Sequence, residues 1–256
     1  MSTVFNFTFV PWFRSVAPYI HKHRGNTLVV GRANAFAAVQ TPGAVDVYTR
    51  IDQVWQDTPV RLNASNAGNG DRFGWSVAIA GDGRTIAVGA SAEDSNATGI
   101  DGPKDNDARL DSGAVYVFGL DGSTWTERAF IKASNPDAQD GFGGAVSLSD
   151  DGNTLAATAY AEASFGRGLN GTGGDNSLQQ AGAAYVFRRQ AGTWTQTAYV
   201  KATNPGVFDQ FGSSVALSGD ARSLAVGAIN ESSAAIGIGG EQNDNNAGGS
   251  GAVYLY

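Results

Sequence analysis

The sequence predicts an all-β protein: a β-propeller of four-stranded antiparallel blades, with about four blades present as a partial array or a small closed ring. Three observations carry this. The stretch Phe73-Gly74-Trp75-Ser76-Val77-Ala78-Ile79-Ala80-Gly81-Asp82-Gly83-Arg84-Thr85-Ile86-Ala87-Val88-Gly89-Ala90 returns at Phe142-Gly143 and at Phe211-Gly212, each step being 69 residues. Gly113-Ala-Val-Tyr, Gly182-Ala-Ala-Tyr and Gly251-Ala-Val-Tyr keep the same step, as do Trp125 and Trp194. A period this long with β-type content in every copy is the mark of a repeat architecture. Glycine supplies 35 of 256 residues, which favours many turns over long helices.

Each full copy reads as four strands. The first, from Phe73 to Ala80, is expected to put Phe73, Trp75, Val77 and Ile79 on one face and small residues on the other. A two-residue Asp82-Gly83 turn leads to the second, Thr85 to Ala90. The third, Ala114 to Phe118, is apolar on both faces, as suits a strand between neighbouring sheets. The fourth, Trp125 to Ala133, alternates Trp125, Ala129 and Ile131 with Thr126, Arg128 and Lys132, and its charges suit an outer edge. Small residues on the first two strands and charge on the last describe a propeller blade seen from axis to rim. One copy carries a fault: Asp220-Ala221 stands where its siblings have Asp-Gly.

The blades are expected at about 11–66, 71–135, 140–204 and 209–256, with residues 1–24 a degenerate N-terminal strand region. Within it Phe5, Phe7 and Phe9 share one face of a strand over 4–10, Phe13-Arg14-Ser15-Val16-Ala17 faintly echoes the repeat opening, and His21-Lys22-His23-Arg24 reads as a basic turn. Gly25 to Gly31 matches the second strand of the later copies. The fourth copy reaches Tyr256 after its third strand. Either the chain is part of a longer propeller, or the 4–10 strand supplies a missing edge and closes a ring. An unfilled edge would also offer a route of association.

Net charge is −7 and charged residues make up 16% of the chain, so there is no electrostatic footprint for nucleic acid. No apolar run has the length to span a bilayer, and no membrane insertion is expected. Cysteine is absent, which excludes disulfides and thiol chemistry. The N-terminus has no basic region ahead of its apolar stretch and is not read as a signal peptide.

At Phe73-Gly74, Phe142-Gly143 and Phe211-Gly212, paired with Ala87-Val88-Gly89-Ala90 and Ala225-Val226-Gly227-Ala228, the chain resembles the FG-GAP repeat family, which builds the propeller of integrin α chains. The likeness covers about residues 25–256 and is nearest to the bacterial surface variety, through Ser112 to Phe118 and Thr193 to Gln196. The middle copy departs, with Ala156-Ala157-Thr158-Ala159 in place of Ala-Val-Gly-Ala. The resemblance implies an extracellular or cell-surface module for adhesion or recognition of a protein or glycan, without enzymatic activity. A hydrolase or lyase acting on polysaccharide, or a structural spacer in a larger secreted protein, are the alternatives. Ligands are expected at a rim formed by the loops 91–112, 160–181 and 229–250.

Integrin-type repeats carry calcium between the first two strands, but the turns at 81–84, 149–153 and 219–222 are too short to wrap a cation. Oxygen donors gather instead in the long second-to-third connections. Glu93, Asp94, Asp101, Asp105 and Asp107, with Asp111 nearby, are the candidate calcium ligands. Glu93 recurs in step as Glu162 and Glu231. The competing reading is that such loops are solvated and that Asp and Asn cap their own turns. Trp125 and Trp194, with Trp55, are read as packing between blades rather than as sugar platforms. The Gly166 to Gly171 match to a dinucleotide motif has no helix behind it, and His21 with His23 lacks a third ligand. No carboxylate sits in an apolar stretch that would raise its pKa.

Overall fold

A computed structural model of the chain describes residues 20–22, 25–33 and 41–256. All regular structure in it is β. Four antiparallel sheets follow one another along the chain. The first holds β1 (Ile20–Lys22), β2 (Thr27–Arg32), β3 (Ala44–Ile51), β4 (Val54–Trp55) and β5 (Val60–Leu62), the last two both pairing with β3. The second runs in order through β6 (Phe73–Ile79), β7 (Thr85–Ala90), β8 (Ala114–Asp121) and β9 (Thr124–Ile131). The third repeats it with β10 (Phe142–Leu148), β11 (Thr154–Ala159), β12 (Ala183–Gln190) and β13 (Thr193–Val200). The fourth has β14 (Phe211–Leu217), β15 (Leu224–Ala228) and β16 (Ala252–Leu255).

The sheets stack face to face: β2 lies on β6, β6 on β10 and β10 on β14. The core therefore sits between sheets rather than inside any one of them. Val115, Val117, Ala129 and Ile131 of the second sheet pack on Phe142, Val146, Leu155 and Tyr185 of the third. Ala156, Ala184 and Val200 of the third pack on Phe211, Leu224 and Val226 of the fourth. This is the stacked-blade arrangement the sequence predicts, about four blades in number. The strand at 4–10 and the echo at 13–17 lie outside the described residues. Ile20–Lys22 is a strand paired with β2, which corrects the basic turn expected there.

The opening Phe-Gly does not continue a straight strand. Pairing of β6 with β7 slips between Phe73 and Ser76, and β10 and β14 show the same irregularity. Gly74, Gly143 and Gly212 have φ of 88°, 83° and 94°. The kink returns Phe73 to the face of Val77 and Ile79 but turns Trp75 away, where Arg72 lies over its ring. Simple alternation misplaced Trp75 for this reason. Phe73 meets the edges of Tyr116 and Phe118, as Phe142 meets Tyr185 and Phe187, and Phe211 meets Tyr254 and Tyr256. The three phenylalanines thus occupy one environment.

The departure in the middle copy has a steric account. The Ser76 hydroxyl donates to the Gly143 carbonyl and crowds the Cα of Gly89. In the next copy alanine stands at 145, and the Thr158 hydroxyl accepts the Ala145 amide at 3.0 Å. The hydroxyl has moved from the first strand to the second, and the side chain it left shrank to make room.

The hairpin between first and second strands is four residues rather than two: the Ala80 amide donates to Thr85 and the Gly83 amide to Ala80. Gly83, Gly152 and Ala221 have φ of 67°, 64° and 57°. The fourth copy therefore keeps a left-handed turn with a residue that resists it. That conformation costs an L-residue about 1–2 kcal/mol, offset by about 0.4–1 kcal/mol of unfolded-chain entropy that glycine would restore. Ala221→Gly is expected to stabilise the protein by about 0.5–1 kcal/mol, read as a rise of about 1–4 °C in melting temperature. No rise would mean that the turn is relaxed in solution.

Candidate functional site

Alternating strand direction places the β7–β8 and β9–β10 connections at one rim of the stack and the short hairpins at the other. At the loop rim the second and third sheets build the same buried polar cluster, and the fourth builds its tyrosine, asparagine and glutamate part. In the second sheet the Tyr116 hydroxyl donates to Asn66 at 2.6 Å, and the Asn66 amide donates to the Glu93 carboxylate at 3.0 Å. The other Glu93 oxygen receives the Lys132 ammonium at 2.7 Å and the Ser95 hydroxyl at 3.0 Å. Lys132 also donates to Ser112 at 2.7 Å. In the third sheet Tyr185, Asn135, Glu162 and Lys201 repeat the chain of contacts, with Lys201 to Glu162 at 2.6 Å. In the fourth, Tyr254, Asn204 and Glu231 do so.

Lys132 and Lys201 are fully buried. This corrects the expectation that Lys132 lies on the outward face with Thr126 and Arg128. Burial pushes both ammonium groups below the usual lysine range, opposed by the adjoining glutamates. Lysine of this kind is tolerated only because a carboxylate and further acceptors replace water.

A second buried set was not anticipated. Asp71, Asp140 and Asp209 each stand two residues before a repeat's Phe, a spacing readable in the sequence. Each carboxylate accepts the amide three residues back, from Gly68, Asp137 and Gly206 at 2.8, 2.8 and 2.6 Å. Each backbone carbonyl holds the following loop through Ala92, Ala161 and Asn230. Burial raises the Asp71 and Asp140 carboxyls to about 7 and raises Asp209 as well, with nearby Glu93 and Glu162 adding to the first two. The expectation that no carboxylate is so raised is thereby corrected; the apolar cover comes from folded loops, not from sequence neighbours.

A carboxyl raised from 3.8 to about 7 binds more protons folded than unfolded between those values. Its contribution is fully present below pH 4 and is lost as pH rises through 7. Melting temperature is expected to fall by several degrees from pH 5 to pH 8. Asp71→Asn with Asp140→Asn, which keeps an acceptor for each amide, flattens that slope; a slope unchanged in the double variant would refute the assignment.

The five candidate calcium ligands are not brought into one cage. Glu93 is buried against Lys132. Asp94 accepts the Asp111 amide at 2.6 Å, and Asp101 accepts the Phe130 amide at 2.9 Å. Asp105 and Asp107 are exposed. Among the described residues no group of three or more acidic or histidine side chains is placed to hold a metal ion. Asp94 and Asp101 thus serve backbone amides. Asn106, Asp175 and Asp244, in step, each accept two backbone amides across their loops. Trp194 is buried, with Arg189 over its ring at 5.4 Å, and Trp125 is half-buried against the core shared by the first and second sheets.

A family model described as the FG-GAP repeat matches residues 57–118 and 194–256. These two segments carry FG-GAP repeats. The matched segments run from β5 into β8 and from β13 to β16, while the Thr158 copy between them keeps the same sheet order and the same phenylalanine environment. No curated protein matches the chain. Among solved structures, one described as a "putative 6-phosphogluconolactonase" from Bacteroides uniformis is 12% identical, with a TM-score of 0.50. The match covers 88% of this chain and 55% of that one. A hypothetical selenium-binding protein from Sulfolobus tokodaii is 9% identical over 90% of this chain and 49% of its own, with a TM-score of 0.43. At such identity the first likeness speaks for fold alone. The chain spans about half the length of these two structures.

Proposed function

We propose that this FG-GAP chain is a recognition module without catalytic activity, which displays its loop rim to a protein or glycan ligand at or outside the cell surface. The observation that carries the reading is the division of labour at that rim. The polar groups with unusual environments are sealed within each repeat, engaged with one another, and recur with the 69-residue step. Among the polar residues that face outward stand apolar ones: Leu110, Phe165, Val207, Phe208 and Ile229 are about half exposed. The loops that carry them are stiffened by cross-links such as the Gln139 amide to Leu110 and the Phe208 amide to Gln179. Exposed apolar side chains on pre-ordered loops favour binding, because little ordering entropy remains to be lost. Adhesion and a surface location rest on the family resemblance. Asp94 and Asp101 already accept the Asp111 and Phe130 amides and Glu93 is paired with Lys132, so recognition is proposed to proceed without resident calcium.

Glycan and protein arrays, each run with and without calcium, test the reading. Retention without turnover, lost in Phe165→Asp and Phe208→Asp but kept in Arg84→Ala on the opposite rim, is the expected result. Release of cleaved glycan would establish the enzyme instead, and silence on both arrays the spacer.

A further inference from the structure

Without cysteine the chain cannot form a disulfide. The sealed clusters of the second and third sheets nevertheless bring together the groups from which another covalent link can be made. These are the Asn66 and Asn135 carboxamides, which come from the segments entering each sheet, and the lysines that follow each outer strand.

Each carboxamide is held at both ends. Its oxygen accepts a tyrosine hydroxyl, Tyr116 to Asn66 at 2.6 Å and Tyr185 to Asn135 at 2.9 Å. Its nitrogen donates to a glutamate, Asn66 to Glu93 at 3.0 Å and Asn135 to Glu162 at 3.1 Å. The same nitrogen donates to the Lys104 or the Gly173 carbonyl, which fixes the plane of the amide. The other oxygen of each glutamate receives the lysine ammonium, at 2.7 Å from Lys132 and 2.6 Å from Lys201. Amine and carboxamide therefore share one carboxylate. The lysines, glutamates and tyrosines are buried, so competing water is kept out, while the asparagines are half-buried and leave a small product a way to solvent. Burial also weakens each lysine's hold on its proton.

We propose that both clusters are self-modification sites, in which the lysine amine displaces ammonia from the asparagine carboxamide to leave an isopeptide bond, Lys132 to Asn66 and Lys201 to Asn135. Glu93 takes a proton from the Lys132 ammonium, and the freed electron pair attacks Asn66 Cγ. Charge developing on Asn66 Oδ1 is stabilised by the Tyr116 hydroxyl already aimed at it. As the Nζ–Cγ bond forms, Nζ gives up a second proton. One of the two passes through Glu93 to Nδ2, the Cγ–Nδ2 bond breaks, and ammonia leaves. The other stays on Glu93, so a buried ion pair becomes a neutral amide beside a neutral acid, and nothing is oxidised or reduced. Glu162 and Tyr185 act in the same way on Lys201 and Asn135. Because the ion pair keeps the lysine protonated most of the time, the reaction is slow: newly folded protein carries the pair, and the bond accumulates on standing. Each bond ties the end of an outer strand to the segment that enters the same sheet, closing the repeat on itself.

The intact mass of the full chain, followed over several days in neutral buffer, tests this. It should fall by one ammonia per bond, towards two per chain. A tryptic digest of the unfolded product should lose the cuts after Lys132 and Lys201 and yield a branched peptide joining residues 62–72 to those that follow Arg128. Tyr116→Phe with Tyr185→Phe keeps both ion pairs and should slow the loss at least about tenfold. Lys132→Met with Lys201→Met should abolish it. An unchanged mass with ordinary cleavage after both lysines would overturn the proposal, as would an ammonia loss that survives the double lysine variant or that proceeds at the parent's rate without the two hydroxyls.

Discussion

Glu162→Ala will destabilise the protein by about 3–5 kcal/mol, because it leaves a fully buried ammonium without its counter-charge. The urea midpoint is the measurement, and with a slope of about 1–3 kcal/mol per molar it should fall by at least about 1 M. Glu93→Ala should fall less. Lys132 keeps the Ser112 hydroxyl at 2.7 Å after losing Glu93, whereas Ala181 stands at the equivalent place beside Lys201. The ordering of the two variants thus tests the cluster's geometry as well as its existence. Glu162→Met with Lys201→Met should recover most of the loss, since replacing both members by apolar groups removes the desolvation problem. Equal and small losses in both single variants would show that water reaches these lysines.

These clusters mark the limit of what the sequence discloses. The period, the Phe-Gly openings and the order from small inner strands to charged outer strands are local, and they were legible. Lys132 was misread because its partner Glu93 lies 39 residues away. Alternation along the fourth strand groups it with the solvated Arg128, and only the returning loop seals it. Asp71 and Asp140 escaped notice for a related reason: their cover is assembled from connections, so composition around them is polar. The acidic loop shows the converse. Glu93, Asp94, Asp101, Asp105 and Asp107 look like a ligand set because hard oxygens cluster in sequence, but backbone amides compete for those oxygens, and here the amides hold Asp94 and Asp101. Trp75 was assigned to the wrong face because a positive φ at Gly74 shifts the phase of the strand by a bulge.

That bulge also decides how closely two blades approach, and Gly143→Ala will destabilise the protein by about 2–5 kcal/mol. Two separate penalties add. At φ of 83° an L-side chain is disfavoured by about 1–2 kcal/mol. A Cβ there would also stand 2.3 Å from the Ala114 carbonyl oxygen and 3.2 Å from the Gly89 Cα, both backbone atoms of the preceding blade. Neither can yield without moving a sheet, and overpacking of this kind costs about 1–3 kcal/mol. Gly122→Ala separates the two effects. Its φ is 59°, but nothing lies within 4 Å of the added carbon, and alanine already occupies the equivalent position at Ala191 with φ of 49°. It should lose about 0.5–1 kcal/mol, the conformational part less the unfolded-chain entropy that alanine removes. Gly89→Ala supplies the other part: its Cβ would meet the Gly143 carbonyl oxygen at 2.0 Å, at a residue that does not have a positive φ. Melting curves of the three variants should place Gly122→Ala well above the other two. If Gly143→Ala instead melts with Gly122→Ala, the blades stand further apart in solution than the Phe-Gly contact requires, and the glycine serves the bulge and not the stacking.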